Sequence, residues 1–561
     1  MTFRISSLIL VSAFLISNCS DTKNIAKRSD KNGTLLLAEN TVITTLYPYG
    51  TTAQTEIIIL SQLHEGLLRL DTKTLAAIPA LAEKWETSAD NKTITFHLVK
   101  GAHFQDDDCY SGGKGPEIKS KDVKFSLELL CTNEPNNLMF DLIMKDRVVG
   151  ATDFYNKKAT SLSGFKIIDD YTFSISLESP SLNFLTLMAH PSVAIINGIA
   201  YKAYGKDIKT GAGPFVYSPL SIAEKLILVR NNNYFGIDAD GNSLPYLDTV
   251  VINISPSLED ALSLYENRKL DLVNTLPSMR VKEIVEQNIK EFSANPPRSI
   301  LKHDAEMISQ YYTFNTTRKP FDNVKVRQAI NYAIDKEKIV ADILQGQAIS
   351  AGNYGITPNT FLGYDTRNIV GYTLDVNKAR KLLSEAGFPN GKGFPEINVL
   401  VNTGSSRNTN VIIEIQKQLK ENLNINASFD ALPNNKKYDL QMHGKSDVFR
   451  DAWVADYPSP ESFLSLFYGN GVPDGENERS YPNTARYKSA QFDAYFVKGK
   501  TATTQDSSYA NFMRAEQVLT NDAVIIPLWY EASYRMLNNS VKNFDLNPMR
   551  YYDLRKVYKV K

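Results

Sequence analysis

Hydrophobic and polar residues alternate along the segment KTITFHLV, residues 92–99. Ile94, Phe96 and Leu98 share one face of an extended chain, and the residues between them point to the opposite face. This period of two predicts a half-buried β-strand. A second strand is predicted from Thr249 to Ile254, where β-branched residues dominate and suit a buried sheet.

A longer segment, from Phe321 to Leu344, has the period of a helix. Asp322 or Asn323 can cap its first turn. Its apolar residues recur at helical spacing and predict one amphipathic helix. They are Val326, Ala329, Ile330, Ala333 and Ile334, followed on the same face by Val340, Ile343 and Leu344.

Further helices are predicted between the strands. One starts at the cap residue Asp375 and ends at Gly387, which suits a left-handed stop. Another covers Val411 to Leu423, and the apolar run from Ile58 to Leu70 is also close to helical spacing. Because strands and helices alternate along the chain, the predicted fold class is α/β.

Size and charge limit the possible functions. The chain has 561 residues, of which 43% are hydrophobic and 22% charged, so two or three soluble domains are expected. Lys plus Arg and Asp plus Glu are each 62. The chain therefore has no excess of positive charge that would favour binding to nucleic acid. Its partners must be inferred from local sites in the sequence.

The amino terminus has the pattern of an export signal. An apolar run from Ile5 to Ile16 has the length of a signal-peptide core and is shorter than the roughly 20 residues of a membrane helix. It leads to Cys19 in a segment that resembles a bacterial lipobox, although Asn18 departs from the usual Gly or Ala. We predict a signal peptide at residues 1–19, lipidation of Cys19 and a tether at 20–33. The alternative is an ordinary secretory signal with an incidental cysteine.

Lipidation of Cys19 would leave two other cysteines, Cys109 and Cys131. An oxidising exterior would allow them to pair. The sequence does not show whether their Cα atoms come within bridging distance, so a disulfide and two free thiols remain alternatives.

Residues with catalytic or metal-binding chemistry lack the spacing that such chemistry needs. The six histidines lie in no zinc-type or nucleophile-elbow motif, and no phosphate-binding P-loop is present. Asp106, Asp107 and Asp108 lack the alternating ligands of a calcium loop, and we interpret them as a solvated loop. His64 and Glu65 are interpreted as a helix end packed on the core. We therefore expect no enzyme, cofactor or metal.

The segment WVADYPSP, residues 453–460, is the strongest candidate for binding chemistry. It places Asp456 between Trp453 and Tyr457, and Pro458 and Pro460 keep it from forming a helix interior. An acid among aromatic rings on such a loop is either a buried capping group or an anchor for a cationic group of a ligand.

Several motifs together resemble one family. The segment from Pro79 to Leu130 combines PALAEKW, an alternating strand, a KGAHF loop and a SKDVKFS helix start. TGAGPFVYSPL follows, in which Gly211 and Gly213 are expected to adopt backbone angles closed to other residues. The most diagnostic segment is the helix FDNVKVRQAINYAID from Phe321, preceded by Pro320. From about Gly33 to its end, the chain is similar to family 5 of the bacterial extracellular solute-binding proteins, which serve peptide transporters.

The resemblance implies a two-lobed periplasmic-binding-protein fold, of type II and similar to cluster C, with an extra subdomain in the first lobe. The implied first lobe comprises residues 34–50, 185–300 and 525–561. The implied subdomain comprises 51–184, and the second lobe 301–524.

The resemblance also implies site residues. In peptide-binding relatives, the acid corresponding to Asp456 pairs with the α-ammonium group of the peptide. Arg450 matches an arginine near the peptide carboxylate, and its alternative role is a surface salt bridge with Asp451. Glu39 matches a position of the first lobe that approaches the ligand. Trp453, Ala455 and Tyr457 are expected to line the cleft.

The implied function is that of a monomeric receptor of an ABC importer. It would capture periplasmic peptides, preferably oligopeptides, and deliver them to a membrane permease while anchored as a lipoprotein. The alternative ligand, within the same fold, is a nickel chelate, haem, opine or sugar. A third alternative, an anchored hydrolase, has no supporting motif.

Overall fold

The computed structural model describes residues 29–39, 41–51, 53–134, 137, 139–254, 257–277 and 280–560. The signal peptide, most of the tether and the lipidation site Cys19 lie outside these residues. Within the described ranges, no helix is both long and apolar enough to cross a bilayer.

The structure alternates strands and helices, which confirms the α/β class. The strands are β1 Thr34–Glu39, β2 Leu68–Leu70, β3 Ala77–Pro79, β4 Ala82–Thr87, β5 Thr93–Leu98, β6 Phe165–Asp169, β7 Thr172–Ser176, β8 Phe215–Tyr217, β9 Lys225–Arg230, β10 Thr249–Ile254, β11 Leu272–Val273, β12 Ser299–Phe314, β13 Ala348–Ala351, β14 Ile397–Asn402, β15 Ala427–Leu432, β16 Val448–Val454, β17 Ile525–Asn538, β18 Val541–Lys542 and β19 Tyr558–Lys559.

The helices are α1 Gln54–Leu63, α2 Ser120–Leu130, α3 Ala151–Tyr155, α4 Phe184–Met188, α5 Gly198–Tyr204, α6 Leu258–Glu266, α7 Val281–Phe292, α8 Val324–Ala333, α9 Lys336–Ile339, α10 Val376–Glu385, α11 Ser406–Leu423, α12 Asn434–Met442, α13 Glu461–Leu464, α14 Ala490–Lys500 and α15 Gln505–Asn521.

Three larger sheets organise these strands. A four-stranded sheet has the order β1-β10-β9-β8, and a second has the order β4-β5-β7-β6. A seven-stranded sheet has the order β11-β17-β12-β16-β14-β15, with β13 also paired to β17. The smaller ribbons are β2-β3 and β18-β19.

The long strands β12 and β17 connect the two halves of the molecule. The first part of β12, Ser299 to Ala305, pairs with the last part of β17, which also pairs with β11. The second part, from Ile308 onward, pairs with β16. The mutual register of β12 and β17 shifts between Ala305 and Ser309, between these two parts of β12.

Two of the hydrophobic clusters include residues from the segment around Asp456. We call the first the subdomain cluster; its buried residues lie between Tyr47 and Ala212, with Tyr457 as the exception within the described chain. We call the second the aromatic cluster; it includes Ala455, Phe463 and Leu464. The segment around Asp456 therefore contributes side chains to both cores.

Several predicted elements are confirmed. Ile94, Phe96 and Leu98 are the buried residues of β5. Asn323 caps α8 by accepting a hydrogen bond from the Lys325 amide, and Asp375 caps α10 in the same way from Lys378. Gly387, just beyond α10, has a φ of +98°.

The predicted helix from Phe321 to Leu344 is interrupted. α8 ends at Ala333, and Ile334 adopts an extended conformation. A new helical segment then starts because the Asp335 side chain accepts a hydrogen bond from the Lys338 amide. Apolar periodicity does not detect this break, since the buried face continues across it.

The apolar run from Ile58 to Leu70 is also divided: α1 ends at Leu63, and Leu68 begins β2. The two glycines of TGAGPF allow their backbone to lie close to the backbone of Leu63, and neither has a positive φ. A Cβ at Gly211 or Gly213 would lie 2.6 Å from the carbonyl oxygen of Leu63.

The predicted burial of His64 and Glu65 at the end of α1 is confirmed. In β10, Val250 and Ile252 are buried and Val251 between them is half-buried, so one face of this strand is buried and the other is partly exposed. Asp106 and Asp108 are exposed, in agreement with a solvated loop.

The possible disulfide is not formed. Cys109 and Cys131 are both free thiols in the structure. Cys131 is buried in the subdomain cluster, whereas the Cys109 side chain interacts with Asp107 on its own loop and with Tyr204 at the end of α5. The two thiols therefore have different environments, and burial raises the pKa of each to about 12.

Candidate functional site

Asp456 lies on a short loop between a strand and a helix. β16 ends two residues before it, and α13 begins at Glu461. We call residues 455–462, which include the first two residues of α13, the proline loop. Pro458 and Pro460 prevent this loop from continuing as a helix interior, because proline has no amide hydrogen and a fixed φ. The prediction of a non-helical segment is confirmed.

Ser462 holds the proline loop in place. Its Oγ accepts a hydrogen bond from the Asp456 amide at 3.0 Å and from Trp453 Nε1 at 3.3 Å. The same hydroxyl donates to Asp456 Oδ2 at 3.4 Å. One serine thus connects the tryptophan and the acid of the WVADYPSP motif.

The carboxyl group of Asp456 is desolvated. Desolvation raises its pKa to about 7, and the hydrogen bond from Ser462 opposes this shift. Tyr457, Tyr481 and Tyr551 lie close enough for their pKa values to be raised by its charge. No lysine, arginine or histidine of the described ranges pairs with it. Nor does Asp456 cap α13, whose N-cap residue is Pro460.

The neighbours of Asp456 are placed differently from one another. Trp453 is half-buried against the aromatic cluster. Ala455 is fully buried, and its amide donates a hydrogen bond to the Met307 carbonyl. Tyr457 is 2% exposed and extends into the subdomain cluster.

Arg450 is the second charged candidate, on β16. Its Nη1 donates to Asn402 Oδ1 at 3.1 Å, and its Nη2 donates to Gln310 Oε1. The alternative salt bridge with Asp451 is wrong, because Asp451 pairs with the buried Lys437 at 3.0 Å. In the described structure Arg450 has only neutral side-chain hydrogen-bond partners. Its pKa is lowered by desolvation and by the charge of Arg407.

The sequence did not reveal that a second arginine, Arg407, lies near Arg450. Arg407, at the start of α11, pairs with the buried Glu531 of β17 at 2.5 Å. Glu531 also accepts hydrogen bonds from Gln310 and Trp529. Because these residues lie on three distant segments, no local motif connects them. A weak signal is that Trp529 and Glu531 fall on alternate positions of β17 and therefore share one of its faces.

Glu39 is located at the end of β1. Desolvation raises the pKa of Glu39 to about 7. The hydrogen bond from Thr55 and the charge of Arg550 lower this pKa but do not outweigh desolvation. Its Oε2 accepts the Thr55 hydroxyl at 3.4 Å. Its Oε1 is buried and lacks a hydrogen-bond partner within the described residues.

The sequence model of "Bacterial extracellular solute-binding proteins, family 5 Middle" matches residues 76–474, well over half of the chain. The chain belongs to this family.

Two relatives in sequence match most of the chain. The periplasmic oligopeptide-binding protein OppA of Salmonella typhimurium is 26% identical over 545 residues, covering 95% of this chain and 93% of the relative. Heme-binding protein A of Haemophilus influenzae is 26% identical over 502 residues, covering 87% of this chain and 85% of the relative.

A solved structure of a similar protein confirms the fold. The periplasmic binding protein DppA of Helicobacter pylori, in complex with the peptide STSA, superposes with a TM-score of 0.79. It is 24% identical, and the superposition covers 95% of this chain and 99% of that chain. The predicted two-lobed fold is therefore confirmed.

Proposed function

We propose that this family 5 protein is the substrate-binding receptor of an ABC importer for peptides and recognises their free α-ammonium group. The observation that carries this proposal is the Asp456 carboxylate, desolvated and without a cationic partner in the described structure. A carboxylate in such surroundings is costly unless it is paired. A ligand ammonium would supply the missing partner.

The surroundings of Asp456 favour an ammonium over a neutral group. Tyr457, Tyr481 and Tyr551 lie close enough to the acid for its charge to raise their pKa values, and aromatic residues are favourable neighbours for a cation. An ion pair enclosed with hydrogen bonds is far costlier to break than one in open water. Asp456 would therefore recognise the peptide terminus and not the peptide side chains.

Arg450 supplies a complementary charge for the other terminus. It lies six residues before Asp456, largely along β16, which corresponds to a span of about 20 Å in an extended chain. A fully extended peptide of about six residues matches such a span, and the reach of the Arg450 and Asp456 side chains into the gap lets a shorter peptide bridge it. The guanidinium suits a carboxylate, and Arg407 adds a second positive charge nearby. These charges support a preference for oligopeptides.

The remaining assignments complete the proposal. The lobes would comprise residues 34–50, 185–300 and 525–561 on one side and 301–524 on the other, with 51–184 as the subdomain. Glu39 would approach the ligand from the first lobe. The protein would be a monomer without enzymatic activity, exported to the periplasm, anchored through Cys19 and presenting peptide to a permease.

A non-peptide ligand is the second candidate, because one family 5 relative is named for heme binding. No cluster of three or more His, Cys, Asp or Glu residues within the described ranges could hold a metal ion. A nickel chelate, opine or sugar without an ammonium would leave Asp456 unpaired. We therefore favour the peptide.

The affinity for tetra-alanine is expected to have a bell-shaped pH profile with its maximum between about pH 7 and 8. Binding requires an ionised Asp456, whose pKa is about 7, and a protonated peptide amine, whose pKa is about 8. Affinity should fall about tenfold per pH unit well below 7 and decline above 8. Calorimetry from pH 5 to 9 measures this profile.

The control for this profile is Glu39→Gln, because burial also raises the pKa of Glu39 to about 7. The acid limb should persist in that variant. An affinity that stays constant between pH 5 and 7 would contradict the assignment of Asp456 as the ammonium partner.

A further inference from the structure

The proline loop contacts the subdomain through a group of buried polar residues. Arg147 Nη2 lies 2.5 Å from Glu461 Oε1, and the two side chains are 6% and 0% exposed. Asn183 Nδ2 donates to Glu461 Oε2 at 2.6 Å and to Ser459 Oγ at 3.0 Å. Arg147 also interacts with Tyr457. We call Arg147, Asn183 and Glu461 the clasp.

The clasp joins two separate cores. Arg147 precedes Val148 of the subdomain cluster, and its carbonyl accepts a hydrogen bond from the Glu178 amide. Asn183 is adjacent to Phe184 of the same cluster. Glu461, in contrast, is in α13, whose apolar residues belong to the aromatic cluster. Contacts between residues more than 270 positions apart therefore hold the proline loop against the subdomain.

The charges of the clasp depend on one another. Burial raises the pKa of Glu461, but the Arg147 guanidinium outweighs this effect and holds that pKa below its usual value. Lys500 lies nearby, and burial together with the Arg147 charge lowers its pKa to about 8. Removing one member of a buried ion pair leaves the other uncompensated, which is far costlier than removing both.

The clasp is also coupled to Asp456 through the loop itself. The Ser459 hydroxyl accepts hydrogen bonds from Asn183 and from the Glu461 amide. Ser462, the residue after Glu461, holds the Asp456 amide and carboxylate. Any movement of Glu461 away from Arg147 would therefore move the residues that orient Asp456.

We propose that the clasp forms when the two lobes close and positions Asp456 for the ligand, so that Arg147, Asn183 and Glu461 set peptide affinity without contacting the peptide. This inference rests on the proposed function for its ligand, and its residues are positioning residues. Separation of the lobes would expose both charges to water, whereas closure buries them as a pair.

The contact itself is tested without any ligand by the double variant Asn183→Cys/Ser459→Cys. We expect mild oxidation to join the two introduced cysteines, which peptide mapping by mass spectrometry identifies. Small-angle scattering should then give a radius of gyration that tetra-alanine no longer changes. Each single-cysteine variant is the control and should gain no new bond. Absence of the cross-link in the double variant would overturn the clasp.

The effect on affinity is tested by a double-mutant cycle with tetra-alanine. Arg147→Met and Glu461→Gln should each lower affinity by at least about 100-fold, and the combined variant should recover to within about tenfold of the unmodified protein. Losses that simply add would overturn the positioning role. Lys325→Met is the matched control, because Lys325 pairs with Glu385 at 3.0 Å on the exposed surface.

The two experiments separate this inference from the proposed function. If the double-cysteine variant forms the cross-link but the unmodified protein binds no tetra-alanine, the peptide proposal is contradicted and the clasp contact is established. If the unmodified protein binds tetra-alanine but the double-cysteine variant forms no cross-link, only the clasp is contradicted. Circular dichroism of each variant confirms that it is folded.

Discussion

Asp456→Asn is expected to lower the affinity for tetra-alanine by at least about 100-fold. The substitution keeps the size of the side chain and removes the charge that pairs with the peptide ammonium, and breaking an enclosed pair costs about 3–5 kcal/mol. Calorimetry at pH 7.5 measures the loss. Asp474→Asn is the matched control, because Asp474 is fully exposed and pairs only with Lys488 on the surface.

The same substitution should have the opposite effect on the unliganded protein. The folded-state pKa of Asp456 is about 7 and lies above its ordinary value, so ionisation of this carboxyl destabilises the fold increasingly as pH rises toward 7. Asp456→Asn removes that cost. Its thermal midpoint should exceed that of the unmodified protein, more at pH 8 than at pH 5. A variant with unchanged affinity and an unchanged midpoint would contradict both statements.

Among the residues proposed to contact the peptide, Arg450 is expected to have the second largest effect on binding, and Arg450→Met should lower the affinity for tetra-alanine by roughly 10- to 100-fold. The substitution retains the aliphatic length of the side chain but removes the fork that suits a carboxylate. Tetra-alanine amide, which has no terminal carboxylate, should bind the variant and the unmodified protein equally. The ratio of the two peptide affinities separates charge recognition from general damage.

The control for this comparison is Arg367→Met, because Arg367 pairs with Asp365 on the surface and is 66% exposed. It should leave both affinities unchanged. Equal losses for the free acid and the amide in Arg450→Met would assign Arg450 a structural role with Asn402 and Gln310 instead.

The sequence was sufficient for features that depend on local pattern. The alternation of Ile94, Phe96 and Leu98 identified β5, and the cap residues Asn323 and Asp375 marked where two helices begin. These predictions succeed because burial of one face and satisfaction of the first amides are decided within a few residues.

Features that depend on contacts between distant segments were not predicted. The pairing of Asp451 with Lys437 instead of Arg450 follows from which face of β16 each side chain occupies. The Arg407–Glu531 pair and the Arg147–Glu461 pair join residues 124 and 314 positions apart. No periodicity or spacing rule describes such contacts, since they arise only when the sheets and cores are assembled.

The proline loop has features of both kinds, some that depend on local sequence and some that depend on distant contacts. The motif WVADYPSP identified a non-helical segment with an acid among aromatic residues, and the structure agrees. The sequence did not reveal that Tyr457 enters the subdomain cluster while Ala455 stays in the aromatic cluster. This division is what places Asp456 at the junction of the two cores.

The most direct test of the ammonium-recognition proposal is calorimetry of the unmodified protein with tetra-alanine and with N-acetyl-tetra-alanine at pH 7.5. The two peptides differ in the charge of the amino terminus, which is the group assigned to Asp456. We expect tetra-alanine to bind and the acetylated peptide to bind at least about 100-fold more weakly. Equal binding of the two peptides would contradict recognition of the free ammonium group.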